Sequence, residues 1–139
     1  MVNQVRMGQV LSGVVLLFMV FDGVIHVLKI APVVEAFNQL GYPIATAVPL
    51  GMLEIACVAL TLIPATRVVG ALLLTAYFGG AVATQLRAGA PLFPMVFPVL
   101  LGALLWAGLY LRDSRVGALV LTTSSAARYV SCTSSERVA

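Results

Sequence analysis

Charge is what this chain has least of. Only 9% of its 139 residues are charged, 8 basic and 5 acidic, against 61% hydrophobic. So few charges cannot coat a water-soluble domain of any size. The basic residues are scattered singly and form no patch, which argues against a nucleic-acid partner. Histidine occurs once, so a haem held by two histidines of one chain is excluded. The 2 cysteines, Cys57 in an apolar run and Cys132 in a polar tail, lie at different depths. An intrachain disulfide and a thiol–disulfide relay are therefore not supported. Alternating apolar and polar residues, the signature of half-buried strands, are missing as well.

What the chain has is long apolar runs and a mean hydropathy of +1.07. A helix needs about 20 mostly apolar residues to cross the hydrocarbon layer. Four runs meet that need, roughly 8–28, 44–63, 68–86 and 92–111. The first run has Arg6 ahead of it, as a signal peptide would, but His26, Lys29 and Pro32 stand where cleavage should occur, so it reads as a retained helix. The polar stretch after it, 29–43, contains a segment, Pro32 to Phe37, suited to a short interfacial helix, and the turn signal Gly41-Tyr42-Pro43. Pro64 closes the second run, and the turn before the third is so short that the two must be antiparallel neighbours. Pro94 and Pro98 in the first two turns of the fourth run predict a late start or a kink. The fold class is therefore all-α: a four-helix transmembrane bundle, up-down-up-down, over residues 1–113. Residues 114–139 read as a tail, partly interfacial or mobile.

Arg6, Arg67, Arg112 and Arg115, with Arg128 and Arg137 further on, share one side of such a bundle, whereas Lys29 and Arg87 lie on the other. The positive-inside bias then places both termini in the cytoplasm of a bacterial-type inner or plasma membrane. Trp106 and Tyr110 fit an aromatic belt at the cytoplasmic end. Gly79 and Gly80, with Ala76, Ala83 and Thr84, form a small-residue stripe expected to serve close helix packing, as do Gly102 and Gly108.

Against this background three ionisable residues stand out: Asp22, His26 and Glu54. An acidic group at bilayer depth costs about 2.5–3.5 kcal/mol on insertion scales. At about 1.5 Å of rise per residue, Asp22 lies roughly 9 Å and Glu54 roughly 14 Å from the non-cytoplasmic face. Tyr77 falls at the depth of Glu54, with Thr84 and Gln85 nearer the surface. Asp22 and His26 are four residues apart and share a helix face, and Lys29 continues that stripe to the interface. One reading is that these groups only glue helices together, Asp22 with Lys29 or His26 and Glu54 with Tyr77 or a hydroxyl. The other is a polar pocket in the outer half of the bundle.

The order Phe21-Asp22-Gly23-Val24-Ile25-His26-Val27-Leu28-Lys29, then Val33-Val34-Glu35-Ala36-Phe37 running into Leu40-Gly41-Tyr42-Pro43, resembles the DoxX-like family of small four-helix membrane proteins. So do Gly51-Met52-Leu53-Glu54 ending in Leu62-Ile63-Pro64, Gly70 to Leu74 with Gly79-Gly80-Ala81, and a last helix ending Trp106 to Asp113. The resemblance covers about 10–113 and implies a four-helix bundle with quinone-linked or redox-associated roles, the family being named for a small subunit of a quinone-linked oxidoreductase. It transfers no catalytic residues.

The function expected from the residues is acid–base chemistry on a lipophilic small molecule: isomerisation, hydration or epoxide opening. Asp22, His26 and Glu54 are the candidate catalytic residues, with Glu54 as the acid and Asp22 as the base. Tyr77, Gln85 and Lys29 are the candidate substrate-binding residues. No cofactor is required and no metal is expected, since the spacing of two carboxylates and one histidine matches no strong ligand motif. The alternatives are a quinone-binding or accessory subunit with a redox-enzyme partner, and a structural or assembly factor without ligand. The bilayer is the certain partner, and a homodimer fits the small-residue faces.

Overall fold

A computed structural model of the chain describes residues 2–113 together with 116 and 117. The tail expected over 114–139 falls, but for those two positions, outside the described residues. Every regular element among them is a helix. Helix α1 spans Val2–Leu28, α2 spans Ala31–Leu40, a single 3₁₀ turn covers Ile44–Thr46, and α3, α4 and α5 span Ala47–Leu62, Arg67–Arg87 and Leu92–Arg112. All but α2 are long and apolar enough to cross a membrane, α3 with its 3₁₀ lead-in.

The boundaries follow local chemistry. Helix α1 begins before the expected residue 8, because Asn3, Gln4 and Arg6 continue the helix beyond the apolar stretch. At its other end Lys29 takes a left-handed conformation, φ 51°. Pro32 then sits in the first turn of α2, where a missing N–H costs nothing. Gly41, at φ 70°, caps α2, and the Tyr42 N–H donates to the Phe37 carbonyl over 2.9 Å. Helix α3 stops because Pro64 forces Ile63 into an extended conformation. The late start expected of the last helix does not occur. Pro91 stands at the N-cap of α5, and Pro94 lies in the first turn, where its amide would have no partner. Only Pro98 interrupts the ladder, removing the rung to Pro94.

The long helices form a ring in which α1 packs on α3 and α5, and α4 packs on α3 and α5. Val15, Leu16 and Met19 of α1, Cys57 and Val58 of α3, Leu74 and Phe78 of α4, and Leu105 and Leu109 of α5 fill its centre. Outward lie Val10, Leu17, Phe21, Met52, Leu72, Leu92 and Leu100, all more than half exposed. An apolar exterior of this extent suits lipid rather than water. Helix α2 buries Val33 and Phe37 against Ala47, with Ile25, Ile30, Ile44 and Leu50 alongside, so it lies where α1 ends and α3 begins.

Three interfaces are set by glycine. A Cβ on Gly51 would stand 2.6 Å from the Gly23 carbonyl oxygen and 2.9 Å from the His26 Cβ. One on Gly108 would meet the Ser12 amide at 2.7 Å and the Gly8 carbonyl at 2.9 Å, and one on Gly70 would strike Thr61. The stripe expected to pack, Gly79 and Gly80, behaves otherwise: a Cβ at either meets nothing within 4 Å. Gly79 and Gly80 face open space, whereas the crossings within the bundle use single glycines opposite backbone, Gly70 of the same helix among them. Ser12 and Thr61, buried at these crossings, bond their own helix through the Gly8 and Cys57 carbonyls, each at 2.8 Å. Trp106 donates to Thr75 Oγ1 over 2.9 Å and ties α5 to α4. At the ends of the same two helices Arg67 pairs with Asp113 at 3.0 Å.

Gly51→Ala should therefore cost about 1–3 kcal/mol, because the added methyl meets backbone that cannot yield. Gly79→Ala should lie within about 0.5 kcal/mol of the parent. Thermal unfolding of both variants in detergent, followed by circular dichroism, measures the difference.

Candidate functional site

The site grows from the α1–α3 crossing. Gly23 follows Asp22 directly and Gly51 precedes Glu54 by one turn, so the close backbone approach sets both acidic side chains at one level. Glu54 is seven residues into α3, roughly 10 Å along it, close to the roughly 9 Å of Asp22 from the end of α1.

Asp22, His26 and Glu54 each bring one ligating atom to within 4.8 Å of the others. His26 Nδ1 donates to the Asp22 carbonyl oxygen at 2.8 Å and lies 3.4 Å from Asp22 Oδ2. The ring stacks edge-on against Phe37 of α2, centroids 5.6 Å apart. Glu54 is 0% exposed. Its Oε2 accepts a hydrogen bond from the Tyr77 hydroxyl at 3.0 Å, while Oε1 has no partner among the described residues. A buried carboxyl oxygen left without a donor costs on the order of 1–3 kcal/mol or more, so something at this position must satisfy it.

Beside the cluster is a cavity of about 760 Å³. Asp22, His26 and Tyr77 line it, with Gln85 and Thr84, whereas Glu54 stands behind the wall and reaches it only through Asp22 and Tyr77. The rest is apolar: Phe18 and Met19 below Asp22 on α1, Leu53 and Cys57 on α3, and Phe93, Pro94, Phe97 and Pro98 on α5. Phe18 meets Phe97 edge-on with centroids 5.4 Å apart. The rung missing at Pro98 thus falls on the cavity side of α5, and the open stripe at Gly80 and Ala76 of α4 forms another part of its wall.

Lys29 does not join this group. It sits past the end of α1 in a left-handed turn, exposed and outside the wall. Sequence reasoning missed the aromatic wall, although Phe18, Asp22 and His26 follow at four-residue intervals and Phe93 and Phe97 repeat that spacing. It also missed how α2 closes the outer end. Arg87 donates from Nη2 to the Leu40 carbonyl at 2.6 Å and lies 5.7 Å over the Tyr42 ring. The Tyr42 hydroxyl lies 3.3 Å from Thr84 Oγ1. The metal-ligating residue types are in reach of one another, but their spacing alone names no ion.

Tyr77→Phe, which removes the donor to the buried Glu54 Oε2, should destabilise the protein by about 1–3 kcal/mol. Adding Glu54→Met in the same chain should recover most of that loss, because both partners are then apolar. A double-mutant cycle of thermal unfolding reads the coupling.

A family model described as the DoxX-like family matches residues 10–108, which includes the whole cluster and all four long helices in part or full. No curated protein and no solved structure shows significant similarity to it. With that match over most of the chain, and four helices apolar enough to span a bilayer, this chain is an integral membrane protein belonging to the DoxX-like family.

Proposed function

We propose that the protein acts on a lipophilic small molecule by acid–base chemistry at the cavity wall. The observation that carries this reading is the facing of Asp22 and Glu54, with the Glu54 Oε1 buried and unpartnered. Two carboxyl groups in contact and away from water hold a proton between them, as one acid and one base. That proton satisfies Oε1 and gives the pair something to transfer. The expected division of labour changes in one respect: Asp22 touches the cavity and Glu54 does not, so Asp22 exchanges protons with the ligand and Glu54 supplies and takes them back. Tyr77 holds Glu54 in place from the far side.

Isomerisation of a strained cyclic ether illustrates the step. The Asp22 carboxyl gives its proton to the ring oxygen as one carbon–oxygen bond breaks. Asp22 or His26 Nε2 then takes a proton from the neighbouring carbon, whose electron pair closes a double bond. Atoms and charge balance without an oxidant, a reductant or a second substrate. Hydration differs only in using water to trap the electron-poor carbon.

A second reading, a quinone-binding or accessory subunit, is favoured by the size and apolar lining of the cavity. It is weakened by Tyr77, whose proton is already given to Glu54, leaving His26, Gln85 and Thr84 to bond a quinone carbonyl. Solvent extraction of the purified protein followed by mass spectrometry distinguishes the two, since only the second predicts a stoichiometric quinone.

The helices are set up-down-up-down with both termini in the cytoplasm. Supporting this are the cations at the α1, α4 and α5 ends that share one side, Arg6, Arg67 and Arg112, against Lys29 and Arg87 on the other. Cys132 is first replaced by Ser. Lys29→Cys should then be labelled by an impermeant maleimide from outside intact cells, and Ala65→Cys only after permeabilisation. Asp22→Asn and Glu54→Gln should each lower turnover of a lipophilic epoxide at least about 100-fold, the lower range for loss of one acid–base group. Unfolding temperatures should be little changed. Near-parental turnover in both variants would overturn the acid–base assignment.

A further inference from the structure

The cavity has a sign. Among the described residues that form its wall, Asp22 is the only one charged at neutral pH in its free form, Glu54 stands directly behind it, and no lysine or arginine takes part. Arg87 is at the rim, held by the Leu40 carbonyl and the Tyr42 ring, and Lys29 is exposed beyond α1. An anionic head group drawn into this space would lose its hydration and meet two carboxyls instead of a cation, a burial that proteins do not tolerate without a partner. The same wall is rich in aromatic rings: Phe18 one turn from Asp22 on α1, Phe93 and Phe97 on α5, and Tyr77 bonded to Glu54. Ring faces carry negative potential and attract cations, the more so out of water. Carboxyls and aromatic rings are the two protein groups that stabilise a desolvated positive charge, and both are here in one cavity.

We infer that the cavity takes lipophiles whose head is cationic, or neutral and turning positive as it reacts, and that it rejects carboxylates, phosphates and sulfates. This inference rests on the acid–base reading for its substrate and names the class: neutral ethers, alkenes or alcohols that protonation converts to an electron-poor carbon. Free fatty acids and anionic lipids are excluded by the same wall. Catalysis gains by this arrangement, because the charge that the rings and carboxyls favour is fully present only at the transition state.

A matched series tests it without knowledge of the substrate: phenylbutylamine, phenylbutanol and phenylbutyrate, titrated calorimetrically into full-length protein in phosphatidylcholine nanodiscs, with empty nanodiscs as the blank. The amine should bind about tenfold more tightly than the alcohol, one cation–π contact and one ion pair being worth at least that much. The butyrate should give no heat above the blank. In Asp22→Asn the amine should fall to the level of the alcohol, whose own binding should not move. Phe97→Leu should weaken the amine more than the alcohol, which guards against a fold defect in the first variant. Butyrate binding as tightly as the amine, no ligand binding at all, or an amine preference that survives both substitutions would overturn the inference. Loss of turnover in the carboxyl variants without any amine preference would sink the charge selectivity alone. An amine preference in a protein whose carboxyl variants keep full turnover would sink the acid–base reading alone.

Discussion

The contact on which the site depends is the one between Gly23 of α1 and Gly51 of α3. With a 2.6 Å approach to any Cβ at Gly51, the two backbones leave no room for a side chain between them. Side chains one position and one turn away are then held face to face whether or not they attract each other. Asp22 and His26 from one helix and Glu54 from the other owe their meeting to this crossing. Two ionised carboxylates would repel each other in an apolar medium. The packing of the surrounding core, Met19, Val58 and Leu74 among it, supplies the free energy that keeps them together.

Helix bundles in lipid gain little from apolar contact, because lipid tails are as apolar as leucine. Shape and polar satisfaction therefore carry more of the specificity. Here the satisfied polar groups are structural: Ser12, Thr61 and Thr75 bond their own helices, Trp106 bonds Thr75, and Arg67 pairs with Asp113. Among the described residues the buried carboxyl oxygen without a partner is at the centre of the candidate site. Glu54 Oε1, buried and without a partner among the described residues, is the atom from which the acid–base reading starts. Most polar side chains in this bundle hold something closed; Asp22 and Glu54 hold something available.

The outer end of the cavity is built by the least apolar part of the chain. Helix α2 sits over the junction of α1 and α3 through Val33 and Phe37, and Phe37 touches the His26 ring. Tyr42 and Arg87 fasten its far end to α4. A segment that composition marks only as interfacial thus contributes a wall to the site, and the histidine is oriented from both sides: by its own helix through Nδ1 and by α2 through the ring edge.

Four spans, their limits to within a few residues, the membrane location and the identity of Asp22, His26, Glu54 and Tyr77 as the polar groups of the interior were legible in the chain. Each rests on local properties: apolar length, proline and glycine at turns, and the cost of charge in lipid. What only the tertiary structure decided was which small residues touch. Gly79 and Gly80 look like a packing face yet open onto space, whereas isolated Gly23, Gly51 and Gly108 make the crossings. A glycine's contact depends on what the facing helix presents, and that information is not local to either segment. The same holds for the cavity: its aromatic wall comes from α1 and α5, its carboxyls from α1 and α3, and no stretch of sequence contains both.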